Sequence, residues 1–318
     1  MNFIKTSFLS GLSTAISLLA RLVSTKIVAV YLGTNGMFLM GQLKDFLRLG
    51  NTIGSFGIEN GIVKYVSEYE SEKTKLSDII GTSFKINFAS ALIFSSLILV
   101  FKNQISDFLQ INFSENFYFL ILIFSIISAS IHTCFLSIYN GLNNIKLYVL
   151  VNIFSNIISA IILVILVLEM QIIGAFYALA INQIFSLLIN IILFLIYKPF
   201  EIGWVFRQFV YDNLKKLSSF SLMAVVGPTC LIISTFIVRD FIFTEFGSDY
   251  AGSWEAMWRI SAIYLLFLIT TFKFYLIPTF SKLNNNELKK EVFKIWKVVI
   301  PIIIIITAGV YITKDLII

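Results

Sequence analysis

The sequence predicts an all-α bundle of about nine membrane-spanning helices, six before a polar linker and three after it. Three observations carry that prediction. Hydrophobic residues make up 58% of the 318 and charged residues only 13%, with a mean hydropathy of +0.89, far outside ordinary soluble composition. The apolar residues fall into nine runs of roughly 20, the length an α-helix needs to cross a hydrocarbon core. The basic residues gather in alternate connections between those runs, as they do in multi-span proteins.

In chain order the runs are 8–32, 38–66, 79–101, 117–142, 147–168, 172–197, 220–238, 254–280 and 295–312. The first keeps Arg21 and Lys26 and has no small-residue cleavage pattern, so it reads as a retained helix and not a signal peptide. With the N-terminus inside, fourteen lysines and arginines fall in cytoplasmic connections, from Lys5 through Lys73, Lys146 and Lys215 to Lys297. Only Lys102 and Arg239 fall outside. That asymmetry orients the chain with its N-terminus cytoplasmic. It also accounts for the net charge of +6 without nucleic acid as a partner. The external connections, 102–116 and 239–253 at the longest, leave no room for a folded catalytic domain, so function must lie within the bundle.

The second run is the least expected of the nine. GQLKDFLRLGNTIGSFGIENGIVKYVSEY, residues 41–69, places Lys44, Asp45, Arg48, Asn51 and Glu59 where a span should be. At about 100° per residue, Lys44, Arg48, Asn51, Ser55 and Glu59 share a single helical face. A charge at mid-bilayer costs on the order of 3 kcal/mol on insertion scales, so such a face should line a bundle interior or a hydrated cavity. Gly50, Gly54, Gly57 and Gly61 allow this helix to bend or loosen. The first run carries a second polar stripe, Ser10, Thr14, Ser17, Arg21 and Thr25. The fourth carries Ser125, Ser128, His132 and Tyr139, the fifth Asn152, Asn156 and Ser159, and the sixth Asn182, Ser186 and Asn190. Interhelical hydrogen bonding is the alternative account of each hydroxyl or amide stripe taken alone, and for His132 it is the preferred one.

The connection 198–219, KPFEIGWVFRQFVYDNLKKLSS, mixes Trp204, Phe206 and Phe209 with Arg207, Lys215 and Lys216, which predicts an amphipathic helix lying on the inner leaflet. It divides the chain into an N-terminal lobe (1–198), a cytoplasmic amphipathic linker (199–219) and a partial C-terminal lobe (220–318). GQLKDFLRLG at 41–50 can be laid over GSWEAMWRIS at 252–261, which brings Arg48 onto Arg259. Counting back to the preceding loop glycines then pairs Lys26 with Arg239. Repeats of this kind place substrate sites at their interface. They also lead to the expectation of about three further spans beyond Ile318. Glu255 and Arg259 stand i, i+4, so a helix-surface ion pair is the alternative role for Arg259.

The interior charges are mainly basic. Lys26, Lys44, Arg48, Arg239 and Arg259 are the candidates for a surface that binds a diphosphate, Arg by bidentate hydrogen bonds and Lys as a point charge. Arg21, Asp45, Glu59 and Lys273 are outlying charges of the same cavity. The two cysteines, Cys134 and Cys230, sit in apolar runs with neither disulfide nor metal-ligand spacing, and no metal or cofactor is implied.

These residues resemble a known family. Gly33, Gly36, GIENGIVKYVSEY at 57–69, Gly81-Thr82-Ser83, Phe220-Ser221-Leu222-Met223-Ala224 and FYLIPTFSKL at 274–283 look like the lipid III and O-antigen flippases of the multidrug/oligosaccharidyl-lipid/polysaccharide exporter superfamily. The resemblance implies two six-helix lobes facing each other across a V-shaped cavity in the bacterial inner membrane. It implies translocation of an undecaprenyl-diphosphate-linked oligosaccharide from the cytoplasmic to the outer leaflet by alternating access. Among further partners it implies a polysaccharide polymerase and chain-length machinery. By similarity Lys26, Lys44 and Arg239 correspond to basic positions of the family, whereas Arg48 and Arg259 rest on the helical geometry alone. After Ile260-Ser261, where the family pattern calls for an acidic residue, Ala262 stands. Two other functions share parts of this pattern. A cation-coupled drug or metabolite antiporter should centre on carboxylates, and a membrane-bound polysaccharide polymerase should carry paired carboxylates or metal ligands outside the bundle.

Overall fold

The computed structural model describes residues 3–109, 116–259, 261, 262 and scattered positions from 288 to 308. Every regular element among them is helical. The chain forms two compact units, Met1–Ser253 and Trp254–Ile318. The first contains α1 (Phe3–Gly54), α2 (Glu59–Glu68), α3 (Lys73–Val100), α4 (Lys102–Leu109), α5 (Asn116–Gly141), α6 (Ile145–Tyr197), a 3-10 turn (Ile202–Phe206), α7 (Tyr211–Ser218) and α8 (Ser221–Phe246). Helices dominate because a chain this apolar must satisfy its backbone polar groups internally once it leaves water.

Among the described residues, five helices are long and apolar enough to cross a membrane. Two of them are too long to cross it once. At about 1.5 Å per residue, α1 and α6 would each extend on the order of 80 Å, against a hydrocarbon core of roughly 30 Å. Both fold back. The backbone leaves helical geometry at Gly33 (φ 64°, ψ −163°) in α1 and at Gln171 (φ 51°, ψ −127°) in α6. The second reversal is so tight that a methyl group on Gly174 would lie 1.8 Å from the Leu166 carbonyl oxygen, which leaves no room for a larger residue. Each long helix is therefore a hairpin of two passes. The described residues make seven passes in all, in register with the first seven predicted spans. The eighth is described only at 254–259, 261 and 262 and the ninth only in part, while Lys273 and the segment 274–283 lie outside the described residues.

Two apolar cores hold the first unit together at opposite ends. Leu43, Leu47, Ile98, Tyr118, Leu122 and Phe176 pack at the end that bears the Gly33 turn. Ile58, Ile62, Ile79, Phe135, Phe194 and Leu217 pack at the other. Leu19, Val30, Ile93, Val100, Phe124 and Ile196 are exposed, an outer surface suited to lipid and not to water.

The second predicted span is interrupted, and the interruption has identifiable partners. The helix stops at Gly54, whose carbonyl accepts hydrogen bonds from Ser130 Oγ at 2.8 Å and from Ser90 Oγ, so a group orphaned at a helix end is satisfied by hydroxyls of neighbouring helices. Phe56 (φ 54°) and Gly57 (φ 62°) then turn the chain into α2. A methyl on Gly57 would come within 2.7 Å of Val225, so the start of α8 rests directly on this break.

The linker wraps the same end of the bundle. It forms not one continuous amphipathic helix but the 3-10 turn and α7, separated by the extended residues Arg207 and Val210. Asn213 and Leu217 of α7 are buried. Val210 N donates to Thr82 Oγ1 at 3.3 Å, Arg207 Nε to Ser77 Oγ at 3.2 Å and Lys216 Nζ to Tyr69 Oη at 2.9 Å. Ile202, Phe206 and Tyr211 remain exposed. The apolar side of α7 is thus spent on the bundle, and the exposed aromatic groups lie mainly on the segment before it.

Candidate functional site

The α1 hairpin positions most of the predicted site. Arg21 and Lys26 lie on its first arm, and Lys44, Asp45 and Arg48 on its second. Arg21 and Arg48 are exposed, and the charge of the Arg48 guanidinium acts on that of Arg21. Two like charges within reach raise each other's cost, and an anion near both would relieve it. Lys26 is exposed and Lys44 half-buried. Lys44 and Arg48 are one turn apart and so lie on one side of the arm.

Three residues before Arg48 the arrangement is the opposite. Asp45 Oδ2 accepts from Arg239 Nη2 of α8 at 2.6 Å and from Thr235 Oγ1 at 3.4 Å. The Arg239 side chain is 1% exposed and that of Asp45 16%, and the guanidinium carbon lies 5.7 Å from the centre of the Phe236 ring. A buried cation is tolerable only with a partner of this quality. In the second unit, Arg259 Nε donates to Glu255 Oε1 at 2.7 Å, the i, i+4 pair that its spacing allows. Glu59 accepts from Ser55 Oγ at 2.6 Å across the break in the second span.

The amide and hydroxyl stripes mostly tie helices to one another. Asn156 Nδ2 of α6 donates to Ser17 Oγ of α1 at 2.8 Å, and Thr133 Oγ1 of α5 to Asn51 Oδ1 at 3.3 Å. Tyr139 Oη donates to Asn190 Oδ1 at 2.7 Å, and Asn190 Nδ2 lies 3.2 Å from His132 Nδ1, so that α5 and α6 share one buried polar network. Among the described residues, no three His, Cys, Asp or Glu side chains converge as metal ligands would.

The structure thus pairs Arg239 with Asp45 and Arg259 with Glu255, and places Arg21 and Arg48 within electrostatic reach of each other across the hairpin. Two features are absent from the sequence reading. Arg21 ranks there as outlying, because helical periodicity orders residues within one helix and not across a hairpin. The Asp45–Arg239 pair joins residues 194 positions apart, and no local pattern announces it.

Folded hairpins of apolar helices around buried and exposed charges define the class: a multi-span helical membrane protein. Three-dimensional similarity agrees. The chain superposes on the inward-facing conformation of a multidrug resistance MATE family transporter of the MOP superfamily with a TM-score of 0.77 at 13% identity, covering 95% of this chain and 71% of that one. The MATE transporter in the bent conformation gives 0.63 at 13% identity, over 99% of this chain and 72% of that one. In sequence, residues 18–318 match the family described as polysaccharide biosynthesis protein, and the chain belongs to that family. It is also 26% identical, over 324 aligned positions, to the lipid III flippases of Escherichia coli (strain K12) and Shigella flexneri, covering 99% of this chain and 76% of each relative.

Proposed function

We propose that this protein is a transporter, a flippase that carries an undecaprenyl-diphosphate-linked oligosaccharide, an O-antigen or enterobacterial-common-antigen-like repeat unit, from the cytoplasmic to the outer leaflet by alternating access. The N-terminus is cytoplasmic, as the distribution of basic residues requires. The lobes 1–198 and 220–318, joined by the linker 199–219, move against each other. The observation that carries the proposal is the placement of two exposed guanidinium groups, Arg21 and Arg48, on the two arms of one apolar hairpin, close enough for their charges to interact. A diphosphate is the complementary ligand. Its clustered negative charge relieves the repulsion, and its oxygens accept the paired N–H groups of each guanidinium.

Lys26 and Lys44 extend that basic surface along the two arms of the hairpin. Arg239 and Arg259, held by Asp45 and Glu255, reach the diphosphate only by exchanging their carboxylates for it, and Lys273 is an outlying contributor. The family match and the similarity to proteins named lipid III flippase support a lipid-linked saccharide as the cargo. Deleting the gene from its host is expected to abolish surface polysaccharide and leave lipid-linked units on the inner leaflet. The natural chain should restore display, and the Arg21→Gln/Arg48→Gln double variant should not, at equal abundance in the membrane. Undiminished display after the deletion, or full display with the double variant, contradicts the proposal.

A further inference from the structure

The contacts between α1 and α8 beyond the break at Gly57 gather at the end that bears the Gly33 turn. Asp45 binds Arg239 and Thr235. Phe38 stacks on Phe243 with ring centres 4.6 Å apart and planes 5° from parallel. Thr34 Oγ1 donates to Asp249 Oδ1. Phe108 of α4 meets Phe236 of α8 at 5.1 Å, and Ala251, just past α8, is fully buried. The ion pair of Asp45 with Arg239 is also the contact of this row nearest to Arg48 along α1. Asp45 precedes Arg48 by three residues, about 4.5 Å along the helix axis.

We propose that Asp45 is a latch residue: by holding Arg239 it keeps the outer end of α8 closed on α1, and a diphosphate bound at Arg21 and Arg48 opens that end by competing with Asp45 for Arg239. The proposal rests on the flippase reading for its orientation and its ligand. The physical basis is that a guanidinium has one planar fork to offer. An anion one helical turn away carries more charge than a carboxylate and can be satisfied by the same N–H groups. Once Asp45 loses Arg239 it is a carboxylate without its strongest partner, which favours entry of water and separation of the two helices. Substrate binding and outward opening are thereby linked through one side chain, as differential affinity for two states requires.

The test uses Ala251→Cys as a small buried reporter in a chain carrying Cys134→Ala and Cys230→Ala, labelled in intact cells by a membrane-impermeant maleimide. Asp45→Asn is expected to raise the labelling rate about tenfold. In the purified chain, undecaprenyl diphosphate should raise it similarly with Asp45 and Arg239 present and leave it unchanged in Arg239→Gln. Unchanged labelling in Asp45→Asn overturns the latch, and unchanged labelling on adding undecaprenyl diphosphate overturns the trigger. A variant that leaves the ion pair intact, Thr34→Cys/Asp249→Cys, provides a second measurement. Transport that stops on oxidation and returns on reduction supports the latch, and transport that continues through a formed disulfide overturns it. The two readings fail separately. If the natural chain does not restore polysaccharide display but Asp45→Asn exposes Ala251→Cys, the flippase reading falls and the latch stands. If display is restored and labelling never changes, the reverse holds.

Discussion

On the second arm of α1, Asp45 holds Arg239 at 2.6 Å in a pocket that leaves the side chain 1% exposed, while three residues on Arg48 is exposed, with the like charge of Arg21 within electrostatic reach. The two arginines carry the same group in the same apolar helical surroundings. Arg239 is matched by a carboxylate, itself held by Thr235, and by an aromatic ring. Arg48 has the like charge of Arg21 within electrostatic reach. A matched charge can be buried because its partner offsets the loss of water, so it holds helices together. A charge set against its like stores repulsion that a ligand can relieve. The difference separates the part of the interior that maintains the structure from the part that is prepared for an anion.

The comparison is broken most sharply by removing one partner of the matched pair. Arg239→Gln leaves Asp45 largely buried without its cation and is expected to cost about 3–5 kcal/mol, seen as a large fall in the unfolding temperature of the purified protein. Replacing both partners, Asp45→Leu/Arg239→Leu, should recover most of that stability, since a buried ion pair and an apolar pair of similar volume are often nearly equal. Arg48→Gln should do the converse. Its unfolding temperature should stay the same or rise slightly as Arg21 loses a like charge, while transport falls by about tenfold to a hundredfold, the worth of one charge-assisted contact of roughly 1.5–3 kcal/mol. Arg48→Lys should keep part of the transport, as a point charge without the planar fork.

Smaller effects sharpen the contrast between structural and functional polar groups. Tyr139→Phe removes the hydroxyl that donates to Asn190 and should lower stability by about 1 kcal/mol with transport per folded molecule unchanged. If transport falls well beyond the loss of folded protein, the α5–α6 network belongs to the transport path after all. The smallest effect is expected at Lys216. Its hydrogen bond to Tyr69 raises the ammonium pKa above its ordinary value of 10.5. The sign follows from linkage: the contribution is complete below the unfolded value of 10.5 and is lost as the pH rises through the higher folded value. Docking of α7 should therefore be insensitive to pH near neutrality and loosen only in strong alkali, which proteolysis of the linker would report.

Much of the fold can be read from the residues, because membrane length and apolar composition act on contiguous segments. Seven runs become seven passes, and the glycine-rich stretch from Gly50 to Gly61 does loosen the second span, with Gly54 ending α1 and Gly57 turning the chain. The form of the linker is less legible. Its apolar residues fit a lipid surface and the N-terminal end of α3 equally well, and only tertiary packing commits Leu217 to the bundle. The site is legible as a set of charges and not as a set of pairs. Periodicity finds the face that carries Lys44 and Arg48 and the i, i+4 relation of Glu255 and Arg259, since both are local. It cannot find Asp45 with Arg239 or Arg21 with Arg48, which come together only when α1 folds back at Gly33 and α8 packs along it.

Arg21 and Arg48, which among the described residues have no carboxylate to give up, are expected to hold the diphosphate first, before either carboxylate-paired arginine is drawn to it, and equilibrium binding to the purified protein tests this most directly. Undecaprenyl diphosphate should bind more tightly than undecaprenyl monophosphate. Arg48→Gln should weaken the diphosphate by about tenfold to a hundredfold, as expected for a lost charge-assisted contact, and narrow the gap between the two lipids. Equal affinity for both lipids in the natural protein, or unchanged diphosphate affinity in Arg48→Gln, would contradict it.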